Sequence, residues 1–172
     1  VEESAGILCL IRIPSEPEIP QDSDWVFLDD VQDPGNVGTI ARSSLASDVS
    51  NLAVSKNSAY PWSPKVLRAG MGAHFRMRIF TSLFLEDIKE QTKNVCLVAD
   101  ARGGQSLFNS LWGENGQRTI WVFGNEGQGV SEDTLKLSDK RLIIPLNPAV
   151  ESLNVAMAAT VCLFEQKRRR EA

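Results

Sequence analysis

Short apolar runs recur along the chain, and each is bounded by polar, glycine or proline residues. Most of them are continuous rather than alternating, which is typical of strands that are buried on both faces of a parallel sheet. The runs that predict such strands are residues 25–28, 52–54, 78–80, 95–98, 119–123 and 142–144. A further run at residues 8–14 predicts an N-terminal strand, and the proline-rich residues 15–23 predict a flexible loop.

Helix signals lie between these strands. The turn at residues 33–36 leads into a segment with Ile40, Ala41 and Leu45 available for packing, and Ser63 followed by Pro64 is a helix cap with proline at the first helical position. A charged stretch at residues 86–92 and a small-residue segment from 153 to about 167 predict two more helices. Strands alternating with helices predict an α/β domain with a mostly parallel sheet covered on both faces.

The length of 172 residues is enough to bury one sizeable core. We therefore expect an acidic N-terminal strand and linker segment over residues 1–23 and one globular domain over residues 24–172. The chain has neither a run of about 18 apolar residues nor a cationic-then-apolar leader, which predicts a soluble, unexported protein. A cytoplasmic location is expected, and an organellar location in a longer precursor stays open.

The cysteines do not indicate a disulfide framework or a zinc site. Cys9, Cys96 and Cys162 are odd in number and form no CxxC pair. They are interpreted as small core residues, and no metal site is predicted.

Charge is divided unevenly along the chain. Residues 1–33 hold nine acidic residues and one arginine, a balance of −8, whereas the remainder holds 17 basic and 13 acidic residues, a balance of +4. Within this basic body, Lys65, Arg68, Arg76 and Arg78 precede the next acid, Glu86, and a second cluster spans residues 167–170. Such clusters favour phosphate contacts, although a solvated face gives the same pattern.

Two polar turns near the C-terminus are candidates for a single ligand pocket. Gly124, Gly127 and Gly129 follow one strand with GxxGxG spacing, the reverse of the dinucleotide fingerprint, and no GK[ST] follows. The second turn, stiffened by prolines, leads to Ser152, whose position is consistent with a helix cap. Strand–turn–helix units of this kind build ligand sites at the ends of parallel strands.

Three motifs in these regions resemble those of the SPOUT RNA methyltransferases of the SpoU/TrmH type. The first is DDVQDPGNVGTIAR at residues 29–42, and the second is FGNEGQGV at residues 123–130. The third is IPL at residues 144–146 followed by VESLNV at residues 150–155. They occur in the family's order and span nearly the whole chain.

The resemblance implies a fold that the pattern alone does not suggest. Pattern alone predicts an open Rossmann-like sheet, because knotted chains are rare. In SPOUT enzymes the C-terminal segment threads through a loop to form a deep trefoil knot, and the knotted turns bind S-adenosylmethionine. Here those turns are residues 124–130 and 144–154. The cofactor-binding residues implied are Phe123, Gly124, Asn125, Gly129, Ile144, Leu146 and Leu153.

The activity implied is S-adenosylmethionine-dependent methylation of a ribose 2′-hydroxyl in structured RNA, with ribosomal RNA favoured over transfer RNA. By resemblance, Arg42 is the catalytic residue of the first motif and Asn36 supports its turn. The same constellation includes Glu126, Ser152 and Asn154. Because a guanidinium stays protonated in proteins, binding the RNA phosphate and orienting the hydroxyl is the role we favour for Arg42. Lys65, Arg68, Arg76 and Arg78 are the candidate RNA contacts.

The resemblance also implies a homodimer in which the C-terminal helices pack together and both subunits complete the active site. Burial of that helix within one chain would give the same pattern. Two other functions stay open. One is a Rossmann-like nucleotide-binding domain, which the missing fingerprint disfavours. The other is a noncatalytic RNA-binding or assembly module of the same fold, which the intact Arg42, Glu126, Ser152 and Asn154 disfavour.

Overall fold

The computed structural model describes residues 9–113 and 116–171 and shows an α/β fold. Its strands are β1 (Trp25–Asp29), β2 (Asn51–Val54), β3 (Arg78–Phe80), β4 (Val95–Ala99), β5 (Gln105–Ser106), β6 (Thr119–Gly124) and β7 (Lys140–Ile143). Its helices are α1 (Pro34–Ala46), α2 (Pro64–Ala69), α3 (Leu85–Thr92), α4 (Glu132–Leu137) and α5 (Val155–Glu171), with a 3-10 turn at Ala73–Phe75.

The strands form one seven-stranded sheet in the order β3-β2-β1-β6-β4-β7-β5. Every strand pairing is parallel. Each of the six predicted strands in residues 25–144 is present, so the predicted parallel α/β architecture is confirmed. Because all strands run the same way, their carboxyl ends meet at a single edge of the sheet.

Helices cover both faces of this sheet, as predicted. On one face, α1, α2 and α5 pack against Val26, Leu28 and other alternate strand residues. On the opposite face, α3 and α4 pack against Trp25, Phe27 and their neighbours. Burial on both faces explains why the central strands are apolar without alternation.

Local sequence signals position several of the helices. The Asp33 carboxylate accepts the amide N–H of Asn36 at 2.9 Å and caps α1, with Pro34 at its first position. Ser63 accepts the amide N–H of Val66 at 3.4 Å, which confirms the predicted cap of α2. Gly38 allows these two helices to touch, since a Cβ there would lie 2.5 Å from the Cβ of Ala69.

The N-terminal segment differs from the prediction. Residues 9–14 form no strand, and Leu8, where the predicted strand begins, lies outside the described residues. The segment is nevertheless attached to the domain: Glu16 accepts hydrogen bonds from Thr81 and Ser82, and Ile19 packs against the core. The acidic loop is therefore packed on the sheet edge near β3 over part of its length.

Most of the tryptophans and two of the three cysteines are buried in the core. Trp25, Trp112 and Trp121 are buried, as are Cys96 and Cys162. Burial raises the pKa of the Cys96 thiol to about 12. The interpretation of Cys9 as a core residue is wrong, because its side chain is exposed.

Candidate functional site

A cavity of about 670 Å³ opens at the carboxyl ends of β4, β6 and β7. Its walls come from the loops that follow these strands and from the start of α5. All seven residues predicted to bind the cofactor line it, namely Phe123, Gly124, Asn125, Gly129, Ile144, Leu146 and Leu153. The two polar turns therefore form one pocket, in agreement with the sequence-based expectation.

The turn after β6 is a tight hairpin closed by Asn125 and Gly129. Their backbone amides and carbonyls exchange two hydrogen bonds, of 3.0 and 2.9 Å. The Asn125 side chain also accepts the amide N–H groups of Gly127 and Gln128 and donates to the carbonyl of Asp30. Asn125 thus fixes the shape of this loop and ties it to the end of β1.

Gly124 is required by this hairpin for a steric reason. A Cβ at position 124 would lie 2.4 Å from the backbone carbon of Gly129 and 2.4 Å from the amide nitrogen of Val130. No side chain fits at that distance, because backbone atoms cannot move aside. The absence of a side chain brings two backbone segments into contact at the wall of the cavity.

The Glu126 carboxylate holds the first motif against the second. Its Oε1 accepts the side-chain amide of Asn36 at 2.9 Å and the backbone N–H of Asp33 at 3.2 Å. Its Oε2 accepts the backbone N–H of Gln32 at 3.2 Å. Partial burial acts to raise the pKa of Glu126, but the hydrogen bonds from Asn36, Gln32 and Asp33 outweigh it and lower that pKa below the ordinary value.

Asn36 and Asn154 extend this network to the third motif. The Asn154 side-chain amide donates to Asn36 Oδ1 at 3.0 Å. Asn154 Oδ1 in turn accepts the backbone N–H groups of Ala156 and Met157, at 2.9 and 3.3 Å. Asn154 is therefore the cap of α5, and the suggestion that Ser152 caps this helix is wrong. Ser152 instead lies in the exposed loop that lines the cavity.

The structure places the five predicted catalytic residues in two groups. Glu126, Ser152 and Asn154 line the cavity, and Asn36 is hydrogen-bonded to two of these three. Arg42 lies apart from them, exposed on α1 and outside the cavity lining.

A carboxylate with two arginine partners, which no sequence motif indicated, also borders the cavity. Asp100 follows β4, and its nearly buried side chain, 2% exposed, pairs with Arg102 Nε at 3.0 Å and with Arg141 at 2.8 Å. Arg102 also donates to the carbonyl of Val130 at 2.9 Å. Burial acts to raise the pKa of Asp100, but the hydrogen bonds from Arg102 and Arg141 lower it. Asp100 lies two residues after the predicted strand at residues 95–98, and that position was the available signal.

A family model that matches most of the chain identifies its family. The sequence model described as the SpoU rRNA Methylase family matches residues 25–164. The chain belongs to this family. The sequence-based assignment to SpoU/TrmH-type RNA methyltransferases is therefore confirmed.

Individual SpoU relatives agree with this membership. The human mitochondrial rRNA methyltransferase 3 is 34% identical over 84% of this chain and 46% of its own length. An uncharacterized tRNA/rRNA methyltransferase of Synechocystis is 38% identical over 86% of this chain and 54% of its own length. The chain thus spans about half the length of these curated relatives.

A solved SpoU structure resembles the fold closely. The SpoU methyltransferase AviRb from Streptomyces viridochromogenes, in complex with the cofactor AdoMet, has a TM-score of 0.83 and 28% identity. The alignment covers 93% of this chain and 64% of that chain. A parallel α/β sheet of this type is thus shared with a SpoU protein that binds AdoMet.

The four predicted RNA contacts lie outside the lining of the cavity. Lys65, Arg68, Arg76 and Arg78 are all exposed, on α2, next to the 3-10 turn and at the start of β3. Between them, His74 is buried, and its Nε2 lies 2.9 Å from the carbonyl oxygen of Pro61. Burial lowers the pKa of His74 despite this hydrogen bond.

The second basic cluster, at residues 167–170, is engaged within the chain. Lys167 pairs with Asp48, whereas Arg168 and Arg169 both pair with Glu165. Arg170 pairs with the buried carboxylate of Asp24. The pairs of Lys167 and Arg170 fasten α5 to the rest of the domain, whereas those of Arg168 and Arg169 lie within the helix.

Two absences apply to the described part of this SpoU domain. Residues 9–113 and 116–171 contain no group of three or more His, Cys, Asp or Glu side chains arranged to hold a metal ion. In the same ranges, no helix has both the length and the apolar character needed to span a bilayer.

Proposed function

We propose that this chain catalyses methyl transfer from S-adenosylmethionine to the 2′-hydroxyl of a ribose in RNA, with S-adenosylhomocysteine as the leaving group and the hydroxyl proton released to solvent. The observation that carries the proposal is the hydrogen-bonded series Asn154–Asn36–Glu126, which joins all three motifs at the rim of the cavity. Ribosomal RNA is favoured over transfer RNA because the human relative is named as an rRNA methyltransferase.

The cavity is suited to S-adenosylmethionine. Its volume of about 670 Å³ lies within the range of about 300–1,000 Å³ that is usual for small-molecule sites. Apolar side chains of Phe123, Ile144, Leu146 and Leu153 line it beside the backbone of the hairpin, which offers amides and carbonyls to an adenine edge. The bound cofactor supplies a methyl group on a sulfonium, an electrophile that needs no metal.

Glu126 is a positioning residue in this proposal. Its two oxygens already accept three N–H groups, from Asn36, Gln32 and Asp33, which favours the charged carboxylate and engages its lone pairs. The lowered pKa also makes it a weak base. Its contribution is to hold the first-motif loop against the hairpin, so that the hydroxyl and the methyl group are kept in line.

Arg42 binds and orients the RNA in this proposal. A guanidinium is a fixed fork of donors that matches a phosphate and is not deprotonated in proteins. Arg42 is exposed and outside the cavity lining of its own chain, so it acts on the cavity of a second subunit. The site is therefore shared between the two subunits of a homodimer.

The exposed apolar side chains of α5 support this homodimer. Met157 and Phe164 are 51% and 45% exposed and lie seven residues apart, on one face of the helix. Leu153 and Val150, just before the helix, are also exposed. Burial of the opposite face of α5 against α1 accounts for only part of its apolar surface, and the rest is available to a second copy.

The deep trefoil knot is part of the same proposal. Residues 144–154 leave β7, pass along the cavity wall beside the hairpin of residues 125–129, and enter α5. Similarity to a SpoU structure over 93% of the chain supports the expectation that this segment threads as in SPOUT enzymes.

Mixing two inactive variants tests the shared site. Arg42→Ala removes the fork, and Leu146→Arg places a cationic side chain in the cavity. Each variant alone should lack methyl transfer, and mixed dimers should regain it because one site then has both an intact cavity and an intact Arg42. Mixed dimers without activity would show that Arg42 acts on the cavity of its own subunit or takes no part in catalysis.

Calorimetric titration with S-adenosylmethionine and, separately, NAD tests the cofactor, with dimer content measured in the same sample. Saturable binding of S-adenosylmethionine alone is expected. Binding of NAD alone would favour a nucleotide-binding domain, and binding of neither by a folded dimer would favour a noncatalytic module.

A further inference from the structure

Phe75 is the most exposed aromatic side chain in the described residues, with 87% of its surface accessible. It occupies the last position of the 3-10 turn Ala73–Phe75. The preceding residue, His74, is buried and hydrogen-bonded to the carbonyl of Pro61, which anchors the turn. Gly70 leaves room for the His74 ring, since a Cβ there would lie 2.8 Å from it. The outward-facing ring of Phe75 is therefore held on a fixed support.

Exposed cationic residues occupy the segment that carries this ring. Lys65 and Arg68 on α2 and Arg76 beside the ring are exposed. The sequence has no Asp or Glu between Asp48 and Glu86, so no carboxylate of this segment neutralises them. An exposed aromatic ring in a segment whose charged residues are all cationic complements a nucleic-acid strand, whose bases stack and whose phosphates are anionic.

The same surface adjoins Arg42. Gly38 of α1 lies against Ala69 and Gly70 at the end of α2, where a Cβ on residue 38 would be 2.8 Å from the Gly70 nitrogen. Arg42 follows Gly38 by four residues and therefore shares its side of α1. Phe75 and Arg42 thus lie on one flank of that helix.

The proposed dimer face lies on a different flank of α1. The hydroxyls of Ser43 on α1 and Thr160 on α5 are 2.8 Å apart, which places α5 beside the Ser43 flank. Met157 and Phe164 belong to α5 and are separated from Phe75 by α1 itself. The apolar residues that support the dimer therefore belong to a different element from the one that carries Phe75.

We infer that Phe75 stacks on an unpaired base of the RNA substrate while Lys65, Arg68 and Arg76 bind the flanking phosphates. The inference rests on the proposed function and adds the state of the RNA, a single-stranded or splayed-out segment beside the target ribose. A duplex offers no free base face, so its binding depends on the cations alone.

Binding of a short fluorescein-labelled single-stranded RNA, compared with its blunt duplex, tests this inference. Phe75→Ala should weaken single-strand binding about tenfold, the loss of one base–aromatic stack, and leave duplex binding little changed. Phe75→Tyr should restore it. Arg68→Gln should instead lower the slope of log affinity against log salt by about 0.7, as expected for one phosphate contact on a single strand. Phe75→Ala should leave that slope unchanged.

Phe84→Ala is the matched control. Phe84 is 69% exposed, but it precedes α3 on the opposite face of the sheet and is followed by Glu86 and Asp87. Equal effects of the Phe75 and Phe84 variants, or no effect of either, would overturn the inference. A fall in the molecular mass of Phe75→Ala from dimer to monomer would also overturn the inference, because Phe75 would then be a subunit contact. If the wild type binds the RNA but methylates none, the proposed function fails while the stacking surface stands.

Discussion

The side-chain amide of Asn36 donates to Glu126 Oε1 at 2.9 Å, and this bond joins two motifs that lie 90 residues apart in the chain. Asn36 lies at the start of α1, and Glu126 lies in the hairpin after β6. Since Asn36 also accepts from Asn154, a single amide fixes the relative position of α1, the hairpin and the start of α5. The site is therefore formed by three segments that hydrogen bonds hold together, and its geometry depends on Asn36.

Replacing Asn36 with alanine should reduce methyl transfer much more than cofactor binding. Loss of the two side-chain bonds lets the first-motif loop shift, and a misplacement of about 1 Å can cost about a hundredfold in rate. S-adenosylmethionine affinity should change little, because Asn36 does not line the cavity. Single-turnover rates and calorimetric titration measure the two effects. Asn109→Ala, at an exposed asparagine outside the cavity, is the control. A parallel loss of cofactor affinity would show that Asn36 maintains the cavity itself.

Arg42→Ala should abolish methyl transfer with cofactor affinity nearly intact. The physical reason is that Arg42 is exposed on α1 and contributes a phosphate-binding fork rather than a cavity wall. Arg42→Lys should recover only part of the activity, since an ammonium cannot donate two parallel bonds. The same two assays apply, with thermal unfolding measured alongside. Equal loss of activity and cofactor affinity in Arg42→Ala would mean that Arg42 supports the fold or the pocket.

The central strands could be predicted from sequence because burial on both faces makes them continuously apolar. β5 has only two residues, Gln105–Ser106, and no pattern of hydrophobicity marks it. α4 was missed although Ser131 followed by Glu132 and Asp133 carries a cap and an acidic first turn. α5 ends at Glu171 rather than near residue 167, because ion pairs of Arg168 and Arg169 with Glu165 support its last turn.

The candidate site was predictable only where a residue type and a motif coincided. All seven of the predicted cofactor-binding residues that line the cavity came from motif positions. The Asp100–Arg102 pair was not predicted, because neighbours two residues apart give no sign that one of them reaches the carbonyl of Val130. The cap of α5 is Asn154 rather than Ser152, since both residue types cap helices and only the backbone decides which one does.

Alanine should damage the protein at Gly124 and be tolerated at Gly127. At Gly124 the added methyl would lie 2.4 Å from backbone atoms of the hairpin, so the hairpin must open and both cofactor affinity and stability should fall. At Gly127 the nearest atom is Asn125 Oδ1 at 3.6 Å, which is an ordinary contact. Thermal unfolding and S-adenosylmethionine titration compare the two variants. Equal behaviour of the pair would show that contact at Gly124 does not shape the cavity.

Arg102→Ala should loosen the hairpin from the loop after β4. The substitution removes charge-assisted bonds to Asp100 and the bond to Val130, while Arg141 still pairs with Asp100. We expect a loss of about 1–2 kcal/mol in the free energy of unfolding and weaker cofactor binding. Lys136→Ala is the control, because its pair with Asp133 is exposed on both sides and contributes little to stability. If Arg102→Ala is as stable as Lys136→Ala and binds the cofactor as tightly, Arg102 does not hold the hairpin to the loop after β4.

Glu165 should make the stability of α5 depend on pH. The hydrogen bonds from Arg168, and then those from Arg169, lower the pKa of Glu165 from 4.5 to about 2 despite burial. A group whose pKa is lower in the folded state stabilises the protein above its unfolded pKa, and this stabilisation is lost as pH falls through the folded value. Glu165→Gln should therefore be less stable than the wild type at neutral pH, and the difference should shrink steadily as pH falls below about 4.5. Urea unfolding at a series of pH values measures it, with Asp133→Asn as the exposed-pair control. A difference that stays constant across this range would mean that the ion pairs at Glu165 do not stabilise the folded helix, and that the lost packing of its side chain accounts for the effect.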